Sequence, residues 1–142
     1  MMLVHRPSLN SEMALTLAKA ATEIAKDREL RICVAILGTS GELLVFLRND
    51  DAIPAAQQIC QQKAVTALHF RTATQQLFER SLERPSLQTG FSNQPDIMLL
   101  PGGIPLFAAG ACIGAIGVSG AKDYEDVEIA QAALKQTRLD CA

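Results

Sequence analysis

The chain has 142 residues, of which 49% are apolar and 20% charged, and it carries a net charge of −2 at pH 7. That length suits a single domain able to bury a core without disulfides or a structural metal, and the apolar fraction excludes an intrinsically disordered chain. With no dense Lys/Arg block to neutralise a phosphate backbone, nucleic acid is excluded as an expected partner. Met1 to Pro7 holds no apolar run of signal-peptide length, and no later run reaches a membrane span. A cytoplasmic protein of one domain, residues 1–142, with no membrane partner is expected.

From Leu9, the residues Leu9, Met13, Leu17, Ala20, Ala21 and Ile24 recur at helical spacing, with Ser8 as the candidate cap. Ile32 to Leu37 and Leu43 to Leu47 are short apolar runs joined by Gly38-Thr39-Ser40-Gly41-Glu42, which reads as a hairpin. Both runs are apolar at nearly every position, so their sheet is expected to be covered on both faces. A helix follows from Pro54 to about Phe70, then a second helical segment that Pro85 ends. Arg84 to Pro95 reads as a loop able to act as a lid. Asp96 to Leu100 is a strand candidate, Pro101-Gly102-Gly103 a tight turn, and Ile104 to Ala108 and Cys112 to Val118 a further pair of strands. Asp123 opens the last helix, with Glu125 and Asp126 placed against its N-terminal dipole. The fold class is therefore α/β in the α+β sense: a central five-stranded, mainly antiparallel sheet flanked by helices. Its core is expected to include Leu17, Ile24, Val34, Ile36, Val45, Ile59, Leu99, Ile116 and Val118.

At about 100° per residue, Ala56, Ile59, Cys60, Ala64, Ala67 and Phe70 share one apolar face of the helix after Pro54, and Lys63 falls inside it. Three roles are open to that lysine: its ammonium snorkels to solvent, it meets an anionic group in a pocket, or it is desolvated and acts as base or nucleophile. His69 falls opposite the stripe, where it serves a surface or subunit contact or binds haem iron. His5 reads as an ordinary exposed side chain. The acids of Arg48-Asn49-Asp50-Asp51-Ala52 are placed to cap the Lys63 helix and to pair with Arg48. Gly102 and Gly103 supply bare amides for a carboxylate or phosphate, or a turn with positive φ. Cys33, Cys60, Cys112 and Cys141 form no C-x-x-C pair, so buried reduced thiols are expected and no metal site. There is no P-loop, dinucleotide fingerprint, nucleophile elbow or H-E-x-x-H helix, and no standard hydrolase is indicated.

Four elements occur in order: Arg48-x-Asp50-x-Ala52, Lys63-Ala64-x-Thr66-Ala67, Pro101-Gly102-Gly103-x-Pro105 and Gly114-Ala115-Ile116-Gly117-Val118-Ser119-Gly120. Together they resemble the GlcG/HbpS family, also called the haem-degrading family, over nearly the whole chain. The resemblance implies a profilin-like fold, assembly into homodimers or larger homo-oligomers, and haem binding in some members. Other members resemble accessory proteins of small-molecule catabolism. At the first hairpin, Leu37-Gly38-Thr39-Ser40-Gly41 replaces the family's usual Val-Asp-x-x-Gly, so no role of that aspartate transfers. A homo-oligomer is also expected from the surplus of apolar surface. The expected site is a pocket between Lys63 and the Gly102-Gly103 turn, with Arg48 and Asp50 at its edge. Its ligand is haem or a related tetrapyrrole or, in the alternative, a small anionic metabolite on which the protein acts or assists.

Overall fold

The structure, a computed structural model, describes residues 2–139; the expectation for Cys141 lies outside them. The first helix, α1, runs Ser11–Asp27, and its cap is Asn10 rather than Ser8: the Asn10 side chain accepts from the Met13 N–H at 2.8 Å. Ser8 is drawn away because its hydroxyl accepts from the Thr39 N–H of the hairpin turn at 3.0 Å. The hairpin forms as expected, with β1 at Cys33–Gly38 and β2 at Leu43–Arg48. After it come α2 (Ala56–Phe70), α3 (Thr74–Glu83), α4 (Pro85–Ser92), β3 (Gly103–Ala108), β4 (Ala111–Ser119) and α5 (Asp123–Thr137). No helix of the described residues is long and apolar enough to cross a membrane.

The sheet has four strands in the order β2-β1-β4-β3, all antiparallel, so the expected fifth strand at Asp96 to Leu100 is corrected. Its backbone is held by side chains instead. Thr66 Oγ1 donates to the Asp96 carbonyl at 3.2 Å and accepts from the Met98 N–H at 2.9 Å, while Thr74 Oγ1 donates to the Leu100 carbonyl at 2.8 Å. Threonines on α2 and α3 thus do the work a neighbouring strand would have done. The loop expected over 84–95 is also corrected, because Pro85 stops α3 and then takes the first position of α4, where its missing N–H costs nothing.

The two faces of the sheet are built from different residues. Val34 pairs with Val118, Ile36 with Ile116 and Ile104 with Ile116, and this aliphatic face packs under α1 and α5. Each such fully buried side chain contributes about 1.5–3 kcal/mol. The alternate positions, Cys33, Ala35, Ala115, Gly117 and Gly103, are small and lie under α2. The helix backbone therefore descends onto the strand backbone. A Cβ at Gly117 would overlap the Cys60 carbonyl and stand 2.8 Å from the Ala64 nitrogen, and one at Gly103 would overlap the Lys63 carbonyl. Both faces of β1 are fully buried, as its continuous apolar run implies. Of the expected core, Leu17, Val34, Ile36, Ile116 and Val118 are buried, whereas Ile24, Val45, Ile59 and Leu99 are only partly so. Phe70, assigned to the apolar face of α2, is 40% exposed because it sits at the last position of the helix, beyond the sheet.

Candidate functional site

Lys63 lies on the sheet-facing side of α2, is 1% exposed, and does not snorkel. Its side chain leaves the α2 layer at the end of the sheet and passes Gly102 to the other helical layer. There Nζ donates to the Val118 carbonyl at 2.8 Å and to Asp126 Oδ2 at 3.0 Å. Gly102 makes this route: its φ is +129°, and a Cβ there would lie 2.9 Å from Lys63 Nζ and overlap the Val118 carbonyl. Asp126 is 2% exposed and sits in the first turn of α5, its Oδ1 accepting from the Ala121 N–H at 3.0 Å. Burial pushes its carboxyl from the ordinary 3.8 up to about 6, against the downward pull of the Lys63 ammonium and the Ala121 N–H. Sequence reasoning expected a ligand pocket between Lys63 and the Gly102-Gly103 turn; the structure brings these residues into contact, with the ammonium held by protein acceptors. Sequence reasoning missed the partner, Asp126, which is 63 residues away. Gly103 donates its N–H to Thr74 Oγ1 at 3.0 Å, so that amide is already engaged.

Arg48 and Asp50 do not join this cluster. Together with Lys26, Glu29 and Arg31 they line a separate surface depression of about 710 Å³ beside the C-terminal end of α1. The acids of that loop do not cap α2, whose N-cap position, Ala55, has no side-chain cap; Arg48 Nη2 reaches the Ala52 carbonyl at 2.8 Å instead. Asn49, which sequence reasoning passed over, organises the loop by accepting from the Ile32 N–H at 3.0 Å and donating to the Thr22 carbonyl at 3.2 Å.

No buried side-chain nitrogen or oxygen among the described residues lacks a partner, so the interior presents no free donor to a ligand. Two further open sites lie at the surface around the C-terminal end of α2. A groove of about 520 Å³ between α2 and α4 is lined by Thr66, His69, Phe70, Phe91 and Ile97, among others. Phe70 and Phe91 meet edge to face, with ring centroids 5.4 Å apart. His69 is exposed and also lines a second depression, of about 380 Å³, with Arg6, Thr39, Ser40 and Arg71. Among the described residues no three His, Cys, Asp or Glu side chains are grouped to hold a metal ion. Burial raises the Cys33 thiol and pushes Cys60 up to about 12, which suppresses the thiolate needed for ligation or attack. His69 is thus the side chain with a ring nitrogen beside an apolar groove.

A family model described as haem degrading protein HbpS-like matches residues 9–135. Protein GlcG of Escherichia coli K12 is 34% identical over 111 residues, covering 78% of this chain and 81% of that protein. Among solved structures, the haem complex of PduOC superposes with a TM-score of 0.87 at 28% identity, covering 94% of this chain and 98% of the other. HbpS gives a TM-score of 0.86 at 32% identity, with 94% and 93% covered. The four-element pattern and the α+β architecture agree with these likenesses, and the chain belongs to the HbpS-like family.

Proposed function

We propose that this one-domain protein binds haem or a related tetrapyrrole in the groove between α2 and α4, where His69 would hold the iron. The observation that carries the reading is the groove itself: an aromatic and aliphatic wall beside an exposed imidazole. The family and the likeness to the haem complex of PduOC support it. The residues present fit the group, since Phe70, Phe91 and Ile97 offer apolar contact to a macrocycle and His69 offers a nitrogen to iron. Bound haem supplies an iron centre for redox or oxygen chemistry; the chain's own residues bind it, orient it and exclude water from one face. Lys63, Gly102 and Gly103 act in this reading as framework, holding α2 against the sheet so that its C-terminal end presents His69. Titration with hemin is expected to give a saturable, shifted Soret band at one haem per chain or per dimer, and His69→Ala to shift that band and weaken uptake about tenfold or more. Weak, non-saturable uptake by the unaltered protein would overturn the reading.

The same reading includes a homo-oligomer, formed through β2. This strand is an edge of the sheet, Leu43 is 49% exposed, and Leu44, Val45, Phe46 and Leu47 are only half-buried. An apolar edge without proline or inward charge needs a cover, and a second copy supplies an edge of the same chemistry. Light scattering at micromolar concentration is expected to give a dimer or larger, and Phe46→Lys to shift the mass toward the monomer. A monomeric unaltered protein would refute it.

A further inference from the structure

We propose that the depression formed by Arg6, Thr39, Ser40, His69 and Arg71 is an oxyanion site that takes a carboxylate or phosphate group. None of the residues lining it is acidic. The ion pairs among the described residues are Arg28–Glu128 and Lys63–Asp126, so neither Arg6 nor Arg71, both of which line the depression, has a carboxylate partner. The nearest acid of the hairpin turn, Glu42, is turned to its own backbone, its Oε1 accepting from the Ser40 N–H at 3.1 Å. Thr39 is fixed by donating its hydroxyl to the Cys112 carbonyl at 2.8 Å, which sets the turn against β4. The C-terminal end of α2 would by itself repel an anion. That end is capped: the Arg71 and Thr72 N–H groups donate to the Leu68 and Ala67 carbonyls, and the Thr72 hydroxyl donates to the Phe70 carbonyl at 2.8 Å. What remains are two guanidinium groups and an imidazole ring, and guanidinium forks match the planar geometry of a carboxylate or two oxygens of a phosphate.

The oxyanion has two available sources. It is a free small dianion, or it is the acidic edge of a ligand lying in the adjoining α2–α4 groove, since His69 lines both; this second source rests on the haem reading. Arg6 and Arg71 are both exposed, Arg6 in the irregular segment before α1, so an Arg6→Gln/Arg71→Gln double variant is expected to keep its fold, checked by circular dichroism. Calorimetry with inorganic phosphate and with succinate, and titration with hemin and with hemin dimethyl ester, are run on both proteins. Phosphate or succinate binding that weakens about tenfold or more in the double variant, and weakens with added salt, identifies a free-oxyanion site. If neither small anion binds, but the double variant loses hemin affinity about tenfold while the dimethyl ester is unaffected, the source is the ligand's acidic edge. Phosphate binding without hemin binding would leave this site standing and remove the haem reading. Equal behaviour of the two proteins toward phosphate, succinate and hemin overturns the proposal.

Discussion

Asp126→Asn is expected to lower the unfolding free energy by about 3–5 kcal/mol at pH 7, because it leaves the Lys63 ammonium, 1% exposed, without its counter-charge. The amide keeps the shape but has one acceptor oxygen for two donors, Lys63 Nζ and the Ala121 N–H, so one hydrogen bond is lost as well. Chemical denaturation of the two proteins measures the difference. A Lys63→Met/Asp126→Leu double variant should recover most of the loss, since a buried pair replaced whole by apolar groups leaves no charge unpaired. A double variant as unstable as Asp126→Asn would show that the site demands polarity and not merely neutrality.

Gly117→Ala is expected to destabilise by about 3 kcal/mol or more, the upper end of overpacking effects, because the added methyl meets backbone on the opposing helix. The Cys60 carbonyl and the Ala64 nitrogen belong to an α-helix ladder and cannot rotate aside as a side chain would. The control is Gly90→Ala in α4, where nothing lies within 4 Å of the new methyl and the gain in helix propensity is about 1 kcal/mol. Thermal melts of the two variants should therefore move in opposite directions. A Gly117→Ala protein as stable as the parent would mean that α2 does not sit on the sheet by backbone contact.

Elements whose signal is local were legible in the sequence. The hairpin, α2 and α5 follow from apolar period, turn residues and the acids at an N-terminus, and the structure has them. The errors fall where a distant side chain took over a backbone group. Asp96 to Leu100 has the composition of a strand, but Thr66 and Thr74 hold its carbonyls and amides, and no periodicity announces that a hydroxyl some thirty residues earlier will do so. Ser8 was displaced as a cap by its bond to Thr39, a contact spanning 31 residues. For the site, the sequence placed Lys63 on the apolar stripe of α2 and left open whether its ammonium reached solvent or an anionic group; in the structure it is 1% exposed and lies against Gly102. The sequence offered no means of choosing among the acids for its partner, because Asp126 looks like an ordinary first-turn carboxylate until α5 is folded against the sheet.

The lysine that crosses the end of the sheet also has a consequence for how the molecule opens. Helices on opposite faces of a sheet usually make independent contacts with it, and either can fray while the other stays docked. Here α2 cannot lift away without drawing a charged group out of the α5 layer, and α5 cannot leave without stranding that charge. The two layers are stitched into one cooperative unit through the gap that Gly102 leaves, so the deepest fluctuation of the α2 base is global unfolding. Outside this seam, α4 buries no residue and flanks the groove, so it is the element expected to exchange its amide protons first.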